Sequence, residues 1–136
     1  MHIRAYTEAD LEALRRMHAA SRMPYAFPDL TNPLFVTRIV IERDAQIVAA
    51  ALLRLTAEAY VLLDPAAGTP RDRWCALLLA HEAARGDANR RGLDDAHCWL
   101  PPPVASAFGR RLERLGWQRE PWPSYSRGVA SATPGL

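Results

Sequence analysis

The stretch 35-FVTRIVIERDAQIVAAALLRL-55 decides the fold. Phe35 to Arg43 is rich in β-branched residues, and Gln46 to Leu55 is a second extended run. Only Asp44-Ala45 separates them, a connection short enough for a tight hairpin turn. Glycine is missing from that turn, so its type stays open. Thr56 to Glu58 reads as a second turn and Tyr60 to Leu63 as a third strand, which makes an antiparallel meander.

Toward the N-terminus, His2 to Tyr6 alternates and reads as a short first strand. Thr7 then starts a helix, with Asp10 at capping-box spacing and Leu11, Leu14 and Met17 or His18 on one apolar face. From Ser21 to Pro33 the helical pattern breaks, because Pro24, Pro28 and Pro33 forbid a long helix. Tyr25, Phe27 and Leu30 lie in this segment. They form either one wall of a substrate cleft or a flap packed on the core.

Toward the C-terminus, Pro65 closes the third strand and Ala66-Ala67-Gly68 leads to Thr69. Thr69 suits a helix N-cap, Pro70 the first helical position, and Asp72 completes a second capping box. This helix is expected from Pro70 to about Ala84 or Ala88, stopped by Gly86 or Gly92, with Trp74, Leu77, Leu78 and His81 near one face. Asp95 to Leu100 reads as a further strand, with His97 and Trp99 on one side and Cys98 and Leu100 on the other. A last helix from about Pro103 to Leu115 carries Val104, Phe108, Leu112 and Leu115 as its stripe, and Gly116 suits the position after it. Trp117 to Glu120 and Tyr125 to Val129 are candidates for short closing strands. The tail from Ala130 to Leu136 reads as disordered.

Composition narrows the function classes. A chain of 136 residues, 49% of them hydrophobic, fits one domain, taken as residues 1–129. The formal net charge of +2, with dispersed basic residues, points to no nucleic-acid partner. All 17 basic residues are arginines, a coding bias of a GC-rich, bacterial-like kind, so no lysine can act as nucleophile or Schiff base. Cys75 and Cys98 are too few for a disulfide scaffold and read as buried free thiols. No metal-ligand spacing, nucleophile elbow or Walker loop is present. With no leader and no apolar run near 18 residues, no membrane partner and a cytoplasmic location are expected.

The order of elements, a meander followed by a β-α-β unit, gives an α/β (α+β) mixed sheet with helices on both faces. It resembles the GNAT superfamily of N-acetyltransferases. The pieces that carry the resemblance are Ile3-Arg4 with Thr7-Glu8-Ala9-Asp10-Leu11, the hairpin Asp44-Ala45-Gln46-Ile47-Val48-Ala49, Leu63-Asp64-Pro65 followed by Leu77-Leu78, and Arg114-Leu115-Gly116-Trp117. Together they span about Met1 to Val129.

The resemblance implies transfer of an acetyl group from acetyl-coenzyme A to a small-molecule or peptide amine. It places Leu62 and Leu63 where backbone donors hold the pantetheine or polarise the thioester carbonyl. It also places Gly68, Thr69, Arg71, Asp72 and Arg73 at the helix start that binds the pyrophosphate, since free N–H groups and the helix dipole favour anions there. Glu58 and Asp64 are its candidates for the base, and they equally read as surface carboxylates of a turn and a strand end; Tyr25, Phe27 and Leu30 border the acceptor cleft.

Two departures stand out. Arg71 and Arg73 occupy positions where the family uses small residues so that backbone approaches phosphate. They either replace those contacts with guanidinium groups or are solvated helix charges. Leu112 stands where many members carry an acidic tyrosine, which leaves Tyr125 as a substitute acid. His97 suits base work by its ordinary pKa, and equally suits a plain hydrogen-bonded role. The alternative to an enzyme is a GNAT-like binding or protein-interaction module that has lost transfer, including a sheet-mediated homodimer.

Overall fold

A computed structural model describes residues 1–130. Its elements are β1 (His2–Ala5), a 3-10 turn (Glu8–Asp10), α1 (Leu11–Ser21), β2 (Phe35–Arg43), β3 (Gln46–Arg54), β4 (Ala57–Glu58), α2 (Pro70–Arg90), β5 (Ala96–His97) and α3 (Pro102–Arg114). The fold is mixed α/β, with an antiparallel three-stranded sheet in the order β1-β2-β3 and a separate parallel pair β4-β5. The chain divides into two compact units, one from Met1 to Cys98 and one from Trp99 onward. The tail expected to be disordered lies outside the described residues from 131 on.

The hairpin forms as its sequence requires. Asp44 and Ala45 both take positive φ, 51° and 62°, so the two-residue turn is of the primed type that matches strand twist. Aspartate tolerates that conformation, whereas the Cβ of alanine is strained in it. The β2–β3 register slips between Ile41 and Glu42, which face Ala49 and Ile47 and leave Val48 without a partner. This bulge turns Ile47 to the same side as Leu52, and both pack on the core of Leu14, Leu30 and Val40. Val40 is fully shielded from solvent.

The first helix starts as a 3-10 turn because the Asp10 carboxylate reaches back to the Thr7 N–H at 2.8 Å. The second helix keeps its box: Thr69 N–H donates to Asp72 Oδ2 at 2.8 Å and Asp72 N–H to Thr69 Oγ1 at 3.1 Å. It runs past Gly86 and ends at Arg90. Gly92 follows at φ 74°, with Leu93 N–H bonded to the Ala88 carbonyl at 3.0 Å. In the second unit α3 ends in the same motif, Gly116 at φ 92° and Trp117 N–H on the Leu112 carbonyl at 3.1 Å. No helix among the described residues is long and apolar enough to cross a membrane.

Four expectations are corrected. Residues 60–63 form no strand; pairing falls instead on Ala57–Glu58, inside the segment read as a turn, and its partner is β5 rather than β3. The expected strand from Asp95 to Leu100 shrinks to Ala96–His97. Residues 117–120 and 125–129 form no closing strands. Also, Cys75 is exposed, so it is not a buried thiol; Cys98 is half-buried.

Candidate functional site

One set of ionisable side chains sits on and beside β4 and β5. Ala57 pairs with Ala96 and Glu58 with His97 in parallel register. Two backbone bonds close the ladder, Ala57 N–H to Asp95 O at 3.1 Å and Ala59 N–H to His97 O at 2.7 Å. Beyond them residues 59–64 leave strand geometry. Side chains alternate along a strand and match across a register pair, so Glu58 and His97 share one face.

Tyr60 and Asp95 lie just outside the two strands and reach Glu58 and His97 through their side chains. The Tyr60 hydroxyl donates to Glu58 Oε1 at 2.5 Å. This bond and the carboxylate charge push the Tyr60 phenol above its ordinary pKa, so it holds its proton. Asp95 Oδ2 lies 3.3 Å from His97 Nε2, while its Oδ1 accepts from Ala96 N–H at 3.0 Å. A carboxylate, a proton-holding phenol and an imidazole side by side can accept and supply protons. Tyr60 is 82% exposed, so the face is open to an incoming molecule.

The residues expected to hold a cofactor are differently engaged. Gly68 takes φ 62°, and a Cβ there would lie 2.8 Å from Asp72 Oδ2. Its lack of a side chain therefore makes room for the Asp72 carboxylate, which Thr69 N–H holds below the ordinary pKa. A negative group already sits at the start of α2, where a pyrophosphate would go. Arg73 Nη1 donates to the carbonyls of Ala67 and Gly68 at 3.2 and 3.1 Å. Arg71 is exposed. Leu62 is 96% exposed and Leu63 half-buried, both outside any strand.

Asp64 is a turn carboxylate, its Oδ1 accepting from Ala66 N–H at 2.8 Å. Tyr125, in the second unit, is 94% exposed. Leu30 belongs to the core at 6% exposure. Tyr25 and Phe27 flank His18, with ring centroids at 5.1 and 5.6 Å, and the Arg15 guanidinium lies 5.9 Å from the Phe27 ring centre. Phe27 also packs on the core, so this segment is a flap with one exposed aromatic, Tyr25. His18 Nε2 is enclosed there without a hydrogen-bond partner.

A groove of about 370 Å³ opens between α1 and the hairpin, lined by Arg4, Asp10, Arg16, Glu42, Gln46 and Ile47. The charges of Arg4, Asp10 and Glu42 satisfy one another. Arg4 donates to Asp10, Glu42 and the Ala5 carbonyl, and Glu42 Oε2 lies 2.9 Å from His2 Nε2. No guanidinium nitrogen of Arg4 remains for a ligand. Among the described residues no group of three His, Cys, Asp or Glu is placed to hold a metal ion.

Tyr60 and Asp95 were not legible as site residues, although each stands two positions from a candidate, Glu58 or His97. Spacing of two puts such a pair on one face of any strand, and that was the available signal. No family model, no curated protein and no solved structure matches this chain.

Proposed function

We propose that this protein is an acyl-coenzyme A-dependent N-acyltransferase of GNAT type, acting by direct attack of an amine on acetyl-coenzyme A. The observation that carries this reading is the open acid–base face of Glu58, Tyr60 and His97 where the parallel β4–β5 ladder stops. Glu58 takes a proton from the attacking ammonium. The amine nitrogen then bonds to the thioester carbonyl carbon, the carbon–sulfur bond breaks, Tyr60 gives its proton to the departing thiolate, and the second proton released by the amide nitrogen returns to Tyr60. Tyr60 replaces the tyrosine that Leu112 displaces in the family pattern, a role that falls to it rather than to Tyr125.

The test is release of free thiol from acetyl-coenzyme A over a panel of small amines and peptide N-termini. Glu58→Gln lowers kcat by about 100-fold or more if Glu58 is the base. Absence of thiol release with every amine sinks the transferase.

A second reading has its own observation. The Asp72 carboxylate fills the α2 start and Arg73 is spent on loop carbonyls. A GNAT-like module that binds a ligand or protein without transfer explains both.

A further inference from the structure

A ladder of two residue pairs does not hold two strands together by itself. Something else must fix β5 against β4, and with it His97 beside Glu58. The contacts around Asp94, the residue before Asp95, supply it. Asp94 Oδ1 pairs with the Arg54 guanidinium at the end of β3, and Oδ2 accepts from Asn32 Nδ2 at 3.1 Å. Asn32 is itself fixed: its Oδ1 accepts from Leu34 N–H and its carbonyl from Arg38 Nη2, both at 2.9 Å. Leu55 N–H donates to the Leu34 carbonyl at 2.9 Å, which closes the same corner from the other side.

We infer that Asp94 is the positioning residue of the acid–base face, clamping β5 to the three-stranded sheet through Arg54 and Asn32. Its importance for acyl transfer rests on the proposed function; the clamp itself does not. Arg54 is one residue from Leu55 and three from β4, so a carboxylate held on Arg54 sets which residue of the next segment meets Ala57. Asn32 terminates the segment that carries Tyr25 and Phe27. The clamp therefore links the flap and the ladder through one carboxylate. Arg54 and Asn32 hold the Asp94 carboxyl below its ordinary pKa, in line with two donors converging on it.

Amide hydrogen exchange on the full chain tests this without any substrate. In Asp94→Ala, the amides of Ala57 and Ala59, which donate to Asp95 and His97, exchange about tenfold faster or more. The Tyr6 amide, bonded to Arg38 in the other sheet, keeps its protection. The interstrand Overhauser contact between the Ala57 amide and the Ala96 α-proton weakens in parallel. Arg54→Ala reproduces most of the effect, and adding it to Asp94→Ala brings no further change, because Asp94→Ala already removes the Arg54 pair along with the Asn32 bond.

Unchanged protection at Ala57 and Ala59 overturns the inference. So does equal loss at Tyr6, which reports general unfolding. Should Asp94→Ala fail to fold, Asn32→Asp keeps the oxygen that accepts from Leu34 N–H, removes the donor to Asp94, and is read in the same way. In thiol release, Asp94→Ala lowers kcat and leaves the acetyl-coenzyme A KM unchanged. If exchange responds while the wild type releases no thiol, the clamp stands and the transferase falls.

Discussion

Arg4 and Asp10 form a two-pronged pair, with Nη1 on Oδ2 and Nη2 on Oδ1 at 2.8 Å each. Six residues apart in sequence, they pin the first turn of the α1 region to β1, and Glu42 draws β2 into the same bond set. The Arg4 side chain is one-third exposed while that of Asp10 is 8% exposed, so the carboxylate is the member that depends on the pairing.

The pair makes stability depend on acid pH. Arg4, then the Thr7 N–H, holds the Asp10 carboxyl well below the ordinary carboxylate range. A group with a depressed folded pKa stabilises while ionised. Its contribution is complete above the unfolded value near 3.8 and is lost as pH falls toward the folded value. Urea titrations are expected to show a lower midpoint for Asp10→Asn at neutral pH. The gap to the wild type should close below about pH 4.

The hairpin turn offers the opposite sign. Ala45 sits at φ 62° in a conformation that costs an ordinary residue about 1–2 kcal/mol. Glycine removes that strain at an entropic cost of about 0.5–1 kcal/mol. Ala45→Gly should therefore stabilise the fold by about 0.5–1 kcal/mol, seen as a raised Tm in calorimetry.

At the start of α2 a paired experiment separates helix capping from cofactor binding. Gly68→Ala forces a Cβ onto Asp72 at positive φ and should destabilise by about 1–2 kcal/mol. Asp72→Asn keeps a capping oxygen and removes the charge. If the α2 start receives the pyrophosphate, Asp72→Asn tightens acetyl-coenzyme A binding severalfold; unchanged affinity places the anion elsewhere.

Tyr60 is expected to ionise later than an unperturbed tyrosine because Glu58 accepts a hydrogen bond from its hydroxyl and its charge opposes the phenolate. In an ultraviolet pH titration, Tyr60→Phe should remove the late component. Glu58→Gln should move that component toward the ordinary value. A Glu58→Gln titration curve identical to that of the wild type would remove the Glu58–Tyr60 pair from the site.

The sequence made the hairpin and the helix caps legible because each depends on neighbours. Thr69, Pro70 and Asp72 lie within one turn, and Asp44-Ala45 spans the shortest connection between two β-rich runs. What it hid depends on distant partners. Nothing local tells that Ala57 meets Asp95, or that the bulge at Val48 brings Ile47 and Leu52 to one face. The run from Tyr60 to Leu63 looks like a strand by propensity, yet it finds no partner and leaves Leu62 almost fully exposed. Among the site candidates, Leu30 was drawn into the core by Leu14 and Val40. Asp64 was drawn into its own turn.

Isothermal titration of the full chain with acetyl-coenzyme A, beside Arg71→Ala, tests the central claim most directly. Micromolar binding that Arg71→Ala weakens is the outcome expected of an acyltransferase whose exposed arginine reaches the cofactor. No heat of binding at millimolar acetyl-coenzyme A would contradict it, and would leave the reading of a binding module without transfer.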